Sequence, residues 1–107
     1  MMIRCYRKLY VSKKLKEKQY SIIKDLTEGI YSPFLYIITL AKSTPNHLEF
    51  FTASMLHQEI YQRDILWIIG LADSYDGAAE LIQEITQDVV KITGGTNIKK
   101  YFIAELQ

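Results

Sequence analysis

The stretch from Asp64 to Ile92 constrains this chain more than any other. It reads Asp64-Ile-Leu-Trp-Ile-Ile-Gly-Leu-Ala72, then the polar turn Asp73-Ser-Tyr-Asp-Gly77, then the amphipathic run Ala78 to Ile92. Its first part is apolar at both parities: Ile65, Trp67, Ile69 and Leu71 alternate with Leu66, Ile68, Gly70 and Ala72. Side chains of a strand point alternately to opposite faces, so such a strand needs cover on both sides. After the turn, Ala78, Leu81, Ile82, Ile85, Val89 and Ile92 recur at helical spacing, and Ser74 stands where a cap belongs. A buried strand feeding directly into a helix is therefore the predicted spine. Gly70 marks a bulge or a close backbone approach within it.

The rest of the chain supplies partners for that spine. Ile3 to Val11 alternates, with Ile3, Cys5, Leu9 and Val11 on one face and Arg4, Tyr6, Lys8 and Tyr10 on the other. This is the pattern of a half-buried strand. Ser12 is placed to cap a helix from Lys13 to Glu28, with Leu15, Gln19, Ile22, Ile23 and Leu26 inward and Gly29 closing it. Phe34 to Ala41 is apolar on both faces, and His47 to Ala53 follows the turn-rich loop Lys42 to Asn46, which predicts an antiparallel hairpin. Ser54 is placed to cap a short helix from Met55 to Gln62 with Leu56 and Ile60 inward. Gly94-Gly95 ends the second long helix, and Ile98, Tyr101, Phe102 and Leu106 predict a short C-terminal one.

These elements predict a single α+β domain over residues 1–107, with a sheet of about four strands and both long helices on one face. The layout is a sandwich related to the ferredoxin-like fold. Two long helices on one face leave the other short of cover. A second copy packed sheet to sheet would supply it, so a homodimer or higher oligomer is expected.

Charge is segregated. Residues 1–24 carry eight basic side chains and one acid, net +7, whereas residues 49–88 carry eight acids and one base, net −7. The whole chain is nearly neutral, at +1. Asp76, Glu80, Glu84 and Asp88 form a row at four-residue spacing on the second long helix. Like charges so placed repel by roughly 0.2–0.5 kcal/mol per pair, so helix stability alone does not explain the row. A basic surface nearby would, and residues 1–24 contain one. Lys13, Lys16 and Lys24 surround Tyr20 on the outer side of the first helix. An aromatic ringed by lysines is able to stack a nucleobase while the ammonium groups meet phosphates. A plain solvated lysine face fits the same residues.

Chemistry is harder to assemble. His47 and Glu49 share a strand face, the spacing of a base and its orienter, but no nucleophile stands beside them. Cys5 is the one cysteine, which rules out an intrachain disulfide and favours a reducing compartment. The two glycine-containing turns lack nucleotide-binding spacing, and Asp73 and Asp76 would repel an anion from the strand-to-helix turn. No cofactor or metal is expected. No run approaches the roughly 20 apolar residues of a membrane span, and residues 1–8 lack a signal-peptide core. A soluble cytoplasmic protein without membrane contact is the expectation.

The segment Ile68 to Ile85, together with Lys8-Leu-Tyr-Val-Ser12, resembles a group of small uncharacterised bacterial proteins. The resemblance implies a free-standing bacterial cytoplasmic protein and brings no activity with it. Three functional readings remain. The first is a non-catalytic oligomerising or protein-interaction module, using Tyr6, Lys8, Tyr10, Lys13, Lys16, Tyr20, Lys24, Trp67, Asp76, Glu80, Glu84 and Asp88 as its surface. The second is nucleic-acid binding through the basic N-terminal strand and helix. The third is metabolite sensing at a dimer interface. An enzyme has the least support.

Overall fold

The computed structural model describes residues 2–41, 47–58 and 65–106. The expected loop Lys42 to Asn46, the last residues of the expected short helix (with Ile60) and Asp64 lie outside these. Strand β1 spans Met2–Val11, followed by a 3-10 segment Lys13–Lys18 and helix α1, Gln19–Thr27. Strands β2 (Tyr36–Leu40) and β3 (Leu48–Thr52) lead into a 3-10 segment, Ala53–His57. Strand β4 is Ile65–Ala72, and helices α2 (Tyr75–Thr93) and α3 (Ile98–Leu106) complete the order.

Among the described residues the sheet has four strands in the order β1-β4-β2-β3. β1 and β4 run parallel, while β2 is antiparallel to both β3 and β4. The α+β class and the four-stranded sheet agree with expectation, as do the hairpin of β2 with β3 and the C-terminal helix. Unlike a ferredoxin-like β-α-β-β-α-β unit, the described elements end on helices rather than on a strand.

The placement of the helices corrects the expected layout. Leu26, Ile22 and Ile23 of α1 pack with Val11, Ile37, Leu66, Ile68 and Leu71 on one face of the sheet. Ala78, Leu81, Ile85 and Val89 of α2, with Ile98 and Phe102 of α3, pack with Tyr6, Ile38 and Ile69 on the other. The two long helices therefore lie on opposite faces rather than one. The apolar second faces of β2 and β4 are covered by the chain's own helices, so the argument for a sheet-to-sheet dimer loses its premise. The physical reason is connectivity: β1 and β4 are neighbours, and each passes its following helix to a different side.

Gly70 makes the interior strand work. The register shifts on both sides of it, between Cys5 and Tyr10 in β1 and between Ile38 and Thr39 in β2. The alternation of β4 changes phase there, so Leu71 joins Leu66 and Ile68 instead of Ile69. A Cβ at Gly70 would stand 3.0 Å from the Tyr10 carbonyl oxygen and 3.0 Å from Ile38 Cδ1, which is the close approach the sequence pointed to.

Helix ends follow local chemistry. Ser74 Oγ accepts from the Gly77 amide at 2.9 Å, capping α2 as expected. Gly94 takes φ 71° at the other end, where a left-handed residue terminates a helix most easily. Ser12 does not cap: its side chain makes no bond to the helix start and its hydroxyl donates to Asp73 Oδ1 at 3.3 Å. Residues 13–18 form 3-10 turns rather than α-helix. Four lysines and no first-turn acid oppose the positive end of a helix dipole there. Ser54 likewise does not cap; its hydroxyl pairs with Thr52 Oγ1 at 3.0 Å. Ile92, expected inward, is 66% exposed.

Candidate functional site

Adjacent parallel strands whose following helices depart to opposite faces open a crevice at their carboxyl ends, and open α/β sheets bind ligands at such switch points. Here the strands are β1 and β4. The crevice is bounded by Leu15 and Lys18 after β1, Asp73 after β4, Ile22 and Asp25 of α1, and the connection Ile30 to Leu35. It encloses about 300 Å³ and is mostly apolar.

The connection shapes its rim. Phe34 donates its amide to Ser32 Oγ at 3.1 Å, a local turn spanning Pro33. That turn keeps Phe34 out of β2, and the ring is 80% exposed at the groove edge. Ile30, just past the helix-ending Gly29 (φ 82°), is 55% exposed. Leu35 returns inward, and its carbonyl accepts from the Ala53 amide at 2.8 Å. Two large apolar side chains thus stand in solvent at the rim of a mostly apolar hollow. Asp73 is already engaged by Ser12 and lies beside the α2 amino terminus.

Phe34, expected as the first residue of a strand apolar on both faces, instead lies before β2 and in solvent. The sequence predicts the turn at Tyr31-Ser-Pro33 but not that it extends through Phe34, since the bond from the Phe34 amide to Ser32 Oγ leaves no trace in residue type alone.

The residues expected to form one surface fall into separate places. Lys13, Lys16, Tyr20 and Lys24 are exposed on the α1 side, with Tyr20 86% exposed. Asp76, Glu80 and Glu84 are exposed on α2, across the sheet from those lysines. Asp76, Glu80 and Glu84 therefore do not pair with Lys13, Lys16 or Lys24 of the same molecule. Tyr6 is not surface at all: it is buried, with its ring edge-on to Phe102 at 5.1 Å. Trp67 is half-buried in β4, opposite Arg4. Lys8 is exposed on β1.

Asp88 and Tyr10 form a specific pair. The Tyr10 hydroxyl donates to Asp88 Oδ2 at 2.6 Å, joining β1 to α2. Burial raises the Tyr10 phenol above its ordinary range, and the bond to Asp88 and that carboxylate's charge raise it further. Tyr6 is raised by burial and by neighbouring Tyr101. Around this pair lies a hollow of about 200 Å³ bounded by Lys8, Lys91, Ile92 and Tyr101. The fourth acid of the row thus has a structural partner in the fold.

His47 does not sit as a base with an orienter. Its Nδ1 accepts from the Lys99 amide at 3.2 Å, at the start of α3. Burial raises the Cys5 thiol, which suits a small core residue. Among the described residues, no group of three or more His, Cys, Asp or Glu is placed to hold a metal ion. None of their helices is long and apolar enough to cross a membrane. Compared with protein-family models, curated proteins and solved structures, the chain matches none of them.

Proposed function

We propose that the protein is a non-catalytic interaction module of the bacterial cytoplasm, and that its working surface is the apolar groove at the carboxyl ends of β1 and β4. The observation that carries this reading is the pair of exposed apolar residues, Phe34 and Ile30, standing on the rim of that groove. A fully covered aliphatic or aromatic side chain contributes roughly 1.5–3 kcal/mol, so a partner that inserts an apolar group between them gains part of what offsets the cost of association. The groove's size also suits a small apolar metabolite, which keeps ligand sensing as a variant of the same reading. The bacterial cytoplasmic setting rests on the lone cysteine and the resemblance of residues 68–85. Nucleic-acid binding has less support, because the total charge is only +1 and residues 49–88 carry a net −7.

The test uses the apolar dye anilinonaphthalene sulfonate with the folded chain. Saturable fluorescence enhancement is expected, weakened about tenfold by Phe34→Ala combined with Ile30→Ser, since each change removes apolar contact area. Tyr75→Ala, at another exposed aromatic, should leave the affinity unchanged. Absence of binding, or equal binding by the groove variant, would overturn the proposal.

A further inference from the structure

Two surfaces of this molecule remain unexplained by the groove. On one side of the sheet, residues 13–27 present Lys13, Lys16, Lys24 and the ring of Tyr20, almost wholly in solvent. On the other side, α2 presents Asp76, Glu80 and Glu84, and the first two border a shallow hollow of about 700 Å³ whose lining also includes Ala79, Ile82, Gln83, Thr86 and Gln87. The sheet stands between them, with α1 packed on one face and α2 on the other. Neither surface can satisfy the other within one molecule. Each is nevertheless what the other lacks: one has exposed cations and a projecting aromatic, the other has exposed carboxylates beside a depression of mixed polar and apolar lining.

From this complementarity we infer that the lysine-and-tyrosine face of residues 13–27 docks on the acidic face of α2 of a second copy. Tyr20 is the anchor, its ring entering the hollow over Ala79 and Ile82. Aromatic anchors at the centre of a charged rim are the usual energetic core of an interface. The lysines meet Glu80 and Glu84, so the carboxylates that repel one another along α2 gain counter-charges. The contact joins two different surfaces, so it is heterologous, and each added copy still exposes one free face of each kind. The product is an open stack that grows with concentration, not a closed two-fold dimer. The groove plays no part in this contact.

The experiment is sedimentation velocity on the full chain and two charge-reversed forms, with circular dichroism confirming that each is folded. One form carries Lys13→Glu, Lys16→Glu and Lys24→Glu; the other carries Glu80→Lys and Glu84→Lys. All five positions are exposed. At about 20 mM salt, where screening is weak, the unaltered chain should exceed dimer mass as concentration rises, and about 0.5 M salt should return it to monomer. Each reversed form alone should stay monomeric. Their equimolar mixture should associate again, because the swapped charges restore opposite signs at both faces. A monomer at every concentration would overturn the inference. So would association indifferent to salt and to the reversals, or a mixture that fails to associate. If the lysine-reversed form loses binding to a single-stranded oligonucleotide while self-association is absent, the face belongs to nucleic acid and the inference fails. Phe34→Ala should leave the stack intact, and the form carrying Glu80→Lys and Glu84→Lys, altered across the sheet from the groove, should keep its dye binding, so failure here is distinct from failure of the groove.

Discussion

At the residue scale, the most informative side chain is Tyr10. Its hydroxyl bonds to Asp88, so ionisation would set a phenolate against a carboxylate in a partly dry site. The folded state therefore holds the phenolic proton more tightly than the unfolded chain does. The sign follows: this stabilisation is complete below the unfolded phenol value of about 10 and is lost as pH rises toward the higher folded value. Urea titrations from pH 8 upward should show stability falling beyond about pH 10, with a shallower fall in Tyr10→Phe, which should also lose about 1 kcal/mol at neutral pH. An unchanged alkaline slope would place the pairing outside the folding equilibrium. Thr39 offers the reverse case. It is fully buried and its Oγ1 has no hydrogen-bond partner among the described residues. An unpaired buried hydroxyl costs roughly 1–3 kcal/mol, so Thr39→Val should hold or raise the melting temperature. A marked drop would reveal a partner for that hydroxyl. Neither side chain announced its role in the sequence. Tyr10 lay on the polar parity of its strand, and Asp88 was one acid among four until α2 was brought against β1.

At the scale of elements, the two serines that precede helices separate local from tertiary control. Ser74 and Ser12 look alike in sequence, yet only Ser74 caps. Ser74→Ala should cost about 1 kcal/mol, or roughly 4–8 °C in melting temperature for a domain near this size. Ser12→Ala should cost less than half of that, because its bond to Asp73 is long and exposed. Equal losses at the two positions would contradict the assignment. The difference arises because residues 13–18 open with lysines and tighten into 3-10 turns, leaving no regular helix start for Ser12 to serve. By contrast, Gly29, Gly94 and the helical spacing of Ile98 and Phe102 were legible directly, since the φ preference of glycine and the 3.6-residue period are local properties. Gly70 was legible as an irregularity. That it reverses the facing of Leu71 required its neighbours on both sides.

At the scale of the whole molecule, the site and the charge pattern both follow from one topological fact. β1 and β4 lie side by side and parallel, and their helices leave to opposite faces. This creates the crevice rimmed by Ile30 and Phe34. It also sets the basic and acidic surfaces back to back, so the charge segregation visible in the sequence becomes a property of outward-facing sides rather than an internal pairing. The dye-binding and charge-swap experiments address these two surfaces separately.

The sequence by itself determined the α+β class, the hairpin, the capped α2, the C-terminal helix and the need to cover β2 and β4 on both faces. Those features depend on side-chain parity, helical period and backbone preference, all of which act over a few residues. Only the tertiary structure decided which helix covers which face, that Tyr6 is core while Phe34 is surface, and that Asp88 serves Tyr10. Those outcomes depend on the order in which strands pair, and pairing between β1 and β4, more than fifty residues apart, leaves no local trace in the residues it joins.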